Sequence, residues 1–163
     1  MLRASIRTAF LAVTLAFFAG PAEPQSADDG VVFRTEPLSI ETPHGTFSFQ
    51  VEMAESMSQR AHGLMFRREL APDHGMLFLY PREETIMMWM KNTYISLDML
   101  FIGRDGRITR IAAETKPMST DIIASGPRAK AVLELAARTA SRLGIKEGDR
   151  IIHPAFDASE PAR

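Results

Sequence analysis

Between residues 46 and 53, apolar and polar side chains alternate: Phe47, Phe49, Val51 and Met53 are separated by Ser48, Gln50 and Glu52. A period of two is the pattern of a strand with one buried face. Pro43-His44-Gly45 precedes it as a turn signal and joins it to a shorter stretch over residues 37–40, which predicts a hairpin. Ser56 with Gln59 three residues later is a capping-box pattern, opening a short helix through His62 that Gly63 ends. Residues 76–80, 85–90, 97–102 and 107–112 read as further strands, and Asp105-Gly106 between the last two is a strong hairpin signal. Residues 129–135 read as another strand, 138–143 as a short helix capped by Gly144, and 150–153 as a last strand entered through Gly148-Asp149. A further short strand is expected at Val31-Val32-Phe33.

Many short strands with two short helices predict a mainly β (β-rich α+β) domain, a small closed or nearly closed β-barrel-like fold. Leu77, Phe78, Trp89, Leu100, Ile102, Leu133 and Leu135 are its expected core residues.

The N-terminal pattern differs from the rest. Residues 9–18 are nearly all apolar, Arg3 and Arg7 precede them, and Gly20-Pro21-Ala22 supplies small residues for cleavage. This is a signal-peptide pattern over residues 1–22, and its apolar run falls short of the roughly 20 residues that span a bilayer. The expected organisation is therefore a signal peptide (1–22), a flexible leader (23–36), one β-rich domain (37–155) and a C-terminal tail (156–163). The expected compartment is the periplasm or the exterior, with no stable membrane anchor after cleavage near Ala22.

Composition narrows the chemistry. The chain has no cysteine, which removes disulfides, thiol nucleophiles and thiolate metal ligands. Its formal net charge is −1, with no basic run, so nucleic acid is not an expected partner. His44, His62, His74 and His153 are widely spaced and form no zinc motif, and no serine stands in a G-x-S-x-G elbow.

Several ordered motifs carry a resemblance. They are Gly63-Leu64-Met65-Phe66-Arg67, Gly75-Met76-Leu77-Phe78, Trp89-Met90-Lys91-Asn92-Thr93, the segment from Leu97-Asp98 to Ile102, Val132-Leu133-Glu134-Leu135, and Leu143-Gly144-Ile145 with Gly148-Asp149. Together they resemble the domain-of-unknown-function family number 192 (DUF 192), small bacterial and archaeal proteins that are often exported. The resemblance spans about residues 47–152. It implies a compact β-rich fold and export, and it implies no activity. One departure is visible: where that family usually has Gly before the Thr-Ala helix start, this chain has Arg138.

The chemistry must come from the residues. Trp89, Lys91, Asn92, Thr93 and Asp98 fall between two apolar strands, where a purely structural sequence needs few polar groups. Lys91 and Asn92 suit a carboxylate, phosphate or hydroxyl, and Trp89 offers a stacking face. The competing interpretation makes Asn92 and Thr93 turn residues, Lys91 a solvated charge and Asp98 a partner for backbone N–H groups. Strict alternation puts Glu134 on the strand face opposite Leu133 and Leu135; inside a barrel it would need a cation such as Arg67 or Lys91.

The expected function is a binding or envelope-support module with a polar pocket for a small anionic or hydroxylated ligand, framed by Arg67, Trp89, Lys91, Asn92, Thr93, Asp98 and Glu134. Two alternatives stand beside it. One is an enzyme using Asp98 or Glu134 as acid/base with Lys91 stabilising negative charge. The other is a Cu(I)-handling protein using Met88 and Met90, with Met65, Met76 or Met99 approaching them and His62 or His74 completing the site. In that alternative's favour, Met87, Met88 and Met90 flank the single tryptophan; against it, methionine is adaptable core filler.

Overall fold

The computed structural model describes residues 30–157. The expected signal peptide, the first half of the leader and the end of the tail lie outside the described residues. Strands dominate, and seven of them form one strongly curled sheet, a half-barrel. In chain order the elements are β1 (Thr35–Thr42), β2 (Gly45–Ala54), α1 (Met57–His62), β3 (His74–Glu84), β4 (Met87–Met88), β5 (Leu97–Ile102), β6 (Ile108–Ala112), β7 (Ile123–Ala124), β8 (Ala129–Ala136), α2 (Thr139–Leu143) and β9 (Arg150–Ile152). A 3-10 turn follows at Pro154–Phe156.

The sheet runs β6-β5-β8-β3-β2-β1-β9, antiparallel except for the parallel pair β2 and β3. Its two edges meet. Arg107 and Arg150 form a bridge, the Ile108 N–H donates to the Asp149 carbonyl at 2.9 Å, and the Ile151 N–H donates to Gly106 at 2.8 Å. The β1–β2 hairpin turns at His44, and the capping box at Ser56 and Gln59 is present, with Gly63 ending α1 as its pattern required.

Two apolar clusters lie on opposite faces of the sheet. All seven strands feed the inner one, with Ile40, Val51, Leu77, Leu100, Ile102, Leu133, Leu135 and Ile151 among its members. The second lies against the outer face of β3, β5 and β8 and contains Met76, Phe78, Met99, Phe101 and Val132 together with Leu64, Ile86, Met88 and Met90. Those last four come from the chain around α1 and β4, which forms a second layer. Strands covered on both faces lose the simple in-out alternation, so β5 is buried at all six positions.

Four local expectations change. Val31-Val32-Phe33 has no strand pairing, and β1 starts at Thr35, inside the segment expected to be leader. The expected strand over residues 85–90 pairs only at Met87–Met88, with the unanticipated β7. Trp89 is 49% exposed rather than core, because Ile86, Met88 and Met90 take the inward positions and Trp89 falls on the outer side of the same alternation. β4 and β5, the strands flanking the Trp89–Asp98 stretch, lie in different sheets and do not pair.

Candidate functional site

A cavity of about 190 Å³ lies between α1 with its following turn and the Met87–Thr93 stretch, over the outer face of β8. Trp89, Lys91, Thr93 and Glu134 line it together with Arg60, His62, Tyr80, Met57, Met65, Met87 and Met88. Four of the seven candidate residues thus share one concavity, and Arg67, Asn92 and Asp98 do not line it.

Glu134 is the centre of this arrangement. Leu133 and Leu135 point into the barrel, so pleating sends Glu134 to the outer face. There α1 and the β4 layer cover it, leaving it 4% exposed, neither inside the barrel nor solvated. Its register neighbours are Met76 on β3 and Met99 on β5, both fully buried. Among the described residues its carboxyl makes no hydrogen bond and no ion pair with Arg67, Lys91 or any other cation. Burial pushes its pKa up to about 8, so at neutral pH it is a carboxylic acid with one O–H to donate. Gly75 permits this close packing: a Cβ there would stand 2.6 Å from the Glu134 carbonyl oxygen and 2.7 Å from a Leu135 methyl.

The cations at the cavity are already engaged in part. Arg60 donates to the Leu79 carbonyl at 2.9 Å and also to the Glu55 carbonyl, and its guanidinium sits 5.0 Å from the Tyr80 ring centre. Lys91 is exposed and places its ammonium 5.9 Å from the Trp89 ring centre, within cation-π range. Thr93 is buried and donates to the Lys91 carbonyl at 3.3 Å, which steadies the turn carrying Lys91.

The other three candidates have structural work. Arg67 makes a two-pronged ion pair with Glu52, at 2.5 and 2.6 Å, a geometry in which guanidinium and carboxylate match. Asn92 occupies the turn with a φ of 56°, accepts the Phe66 N–H on its carbonyl, and directs its amide at the Met65 sulfur, 3.8 Å away. Asp98 is fully buried and accepts three backbone N–H groups, from Glu114 at 2.9 Å, Arg138 at 3.2 Å and Ala140 at 2.9 Å. Those bonds tie the start of α2 to β5, and Asp98 is buried away from the cavity. The turn interpretation thus describes Asn92 and Asp98, while Lys91 and Thr93 border the cavity.

Sequence reasoning missed Tyr80 and Met57 as cavity residues, and it named Arg60, Met65 and Met87 without placing them beside Glu134. The signal available for Met87 was its place opposite Met88 in the alternation from Ile86 to Met90. Met90, by contrast, is fully buried away from the cavity, with its sulfur accepting the Thr115 hydroxyl at 3.2 Å. His74 pairs with Asp73 on the surface and does not line the cavity.

The family model for DUF192, described as Uncharacterized ACR, matches residues 39–153. The chain belongs to the DUF192 family. Two solved structures resemble this DUF192 chain. A Sinorhizobium meliloti 1021 protein, provisionally described as a transcription regulator, is 47% identical over 77% of this chain and 98% of its own, with a TM-score of 0.75. A protein of unknown function from Novosphingobium aromaticivorans DSM 12444 is 32% identical over 81% of this chain and all of its own, with a TM-score of 0.72. No curated protein matches the chain.

Proposed function

We propose that this DUF192 protein is an exported binding module that holds a small hydroxylated or anionic ligand in the cavity over β8. The supporting observation is Glu134: a buried carboxyl without a partner among the described residues, facing a cavity that also presents Lys91. A carboxyl that faces a cavity without a protein partner is left to water, and a ligand hydroxyl or carboxylate that accepts its proton would take that place. Lys91 at the mouth supplies positive charge for an anionic group, and the thioether and aromatic walls suit an apolar body. Export is proposed from the Arg3, Arg7 and residue 9–18 pattern, outside the described residues.

One observation favours a second reading. Glu134 and Lys91 share the cavity, and a carboxyl with a pKa near 8 is protonated where a general acid must be. The regulator description of the Sinorhizobium relative finds no support in this chain's charge, −1 without a basic run.

Native mass spectrometry of protein recovered from the periplasmic fraction tests the binding reading. The expected species lacks about two dozen N-terminal residues and carries a small molecule. Lys91→Ala should lose that molecule while changing unfolding stability by less than about 1 kcal/mol. Full-length protein in the membrane fraction, or a ligand held equally by Lys91→Ala, would overturn it. Glu134→Gln separates the readings: the isosteric amide should keep binding within a few-fold but would abolish any step needing an acid.

A further inference from the structure

Four methionines are core residues and three are not, while Met88 is buried at the cavity wall and Met118 is exposed away from it. Met53, Met76, Met90 and Met99 are buried to 1% exposure or less and belong to the apolar clusters, where soft side chains fill irregular space. Met57, Met65 and Met87 belong to neither cluster, and Met57 and Met87 are 81% and 68% exposed. Core filling therefore explains nothing about them. Yet all three line the cavity over β8, where Met88 and His62 join them. Large apolar side chains left in water around a concavity point to a binding role.

Two of the sulfurs are also oriented. Asn92 aims its amide at the Met65 sulfur at 3.8 Å, and the Tyr80 hydroxyl aims at the Met88 sulfur at 3.7 Å. A thioether has two lone pairs, and a donor occupying one leaves the other to point elsewhere. His62 is half-buried between the Phe33 and Phe66 rings, each 6.2 Å away, and its ring nitrogens make no hydrogen bond among the described residues. Hydrogen-bonded neighbours that hold ligating groups in place are a regular feature of metal sites.

We propose that this cavity is a site for a soft monovalent cation, Cu(I) or its redox-inert analogue Ag(I), held by the thioethers of Met57, Met65 and Met88 with His62 and Met87 available beside them. Thioether sulfur selects soft cations, and hard divalent ions prefer oxygen. Without cysteine, thioethers and imidazole are the softest donors the chain possesses. The donor set differs from the Met88–Met90 pair suggested by strand spacing, because Met90 is buried against Thr115. This inference uses the cavity described above but not the organic ligand proposed for it.

Titration of the full chain with Ag(I), followed by NMR of methyl-labelled methionine, tests it. One equivalent should shift the methyl signals of Met57, Met65 and Met88 and leave that of Met118, exposed and outside the cavity, in place. Met57 and Met87 are exposed, so replacing both with Leu leaves folding intact; the double variant should bind Ag(I) at least about tenfold more weakly. Met118→Leu should bind as the unaltered protein does. Shifts spread evenly over all methionines, or undiminished affinity in the double variant, would overturn the proposal. A copurifying organic molecule retained by a protein that ignores Ag(I) would sustain the binding-module reading and end this one.

Discussion

A carboxyl group removed from water must find donors or become difficult to ionise, and two residues of this fold take the two courses. Asp98 collects three backbone N–H groups and joins β5 to the start of α2. Glu134 meets no donor and has its pKa raised by burial. Arg138 contributes one of the N–H groups at Asp98 while sitting at a φ of 67°, in the left-handed region. An L-residue there costs roughly 1–2 kcal/mol, which glycine avoids. The exposed ion pair from Arg138 to Glu114 at 3.0 Å returns little, since such pairs are worth about 0–1 kcal/mol. Arg138→Gly is therefore expected to stabilise the protein by up to about 1 kcal/mol in urea denaturation, because the backbone N–H bond to Asp98 survives. A net loss would mean that the Glu114 pair outweighs the backbone strain.

At the scale of elements, β8 organises the molecule. It lies between β3 and β5, sends Leu133 and Leu135 inward, and holds Val132 and Glu134 under the outer layer. Leu133 is fully buried, opposite Leu77 on one side and Leu100 on the other. Leu133→Ala should cost about 2–5 kcal/mol, the usual range for a leucine cavity that neighbours cannot close. A loss below about 0.5 kcal/mol would place the strand wrongly. The stretch around β4 illustrates the limit of periodicity. Its alternation of buried and exposed residues from Ile86 to Met90 is real. But its hydrogen bonds go to an irregular partner, with the Met90 N–H donating to Ser119 and the Ser125 N–H donating to Ile86. Alternation reports which face is buried and is silent about pairing.

For the whole molecule, the buried titratable groups set how stability follows pH. Glu134 has an ordinary value of 4.5 and a folded value near 8. Between these the folded state holds the extra proton, so its contribution to stability falls as pH rises and levels off above about 8. His153 acts in the other direction. Burial lowers its pKa from 6.5; its Nδ1 accepts the Ala155 N–H, and its Nε2 lies 2.9 Å from Glu36 without forming an aligned hydrogen bond. The unfolded chain takes up that proton first, so stability is lost as pH falls below about 6.5. Glu134→Gln removes the first effect alone. Its stability relative to the unaltered protein should rise with pH between about 5 and 8, by up to about 1.4 kcal/mol per pH unit. Parallel denaturation profiles across that range would show that Glu134 is ionised in the folded state.

Local chemistry made much of this protein legible in its sequence. The hairpin around His44, the capping box at Ser56 and Gln59, the glycines ending α1 and α2, and the strands β2, β3, β5, β6 and β8 rest on neighbours a few residues apart. So does the family, through ordered motifs. The site was partly legible: Trp89, Lys91, Thr93 and Glu134 share a cavity, whereas Arg67, Asn92 and Asp98 are held by Glu52, a turn and three backbone N–H groups. What only the tertiary structure decided was which residues face one another across distant segments. The curl of the sheet created an outer face, and the α1 and β4 layer covered it. That covering buried Glu134 without a partner, turned Trp89 outward and brought Met57, Met65 and Met88 to one cavity. Sequence spacing carries the pleat of a single strand, but not the segment that will lie above it.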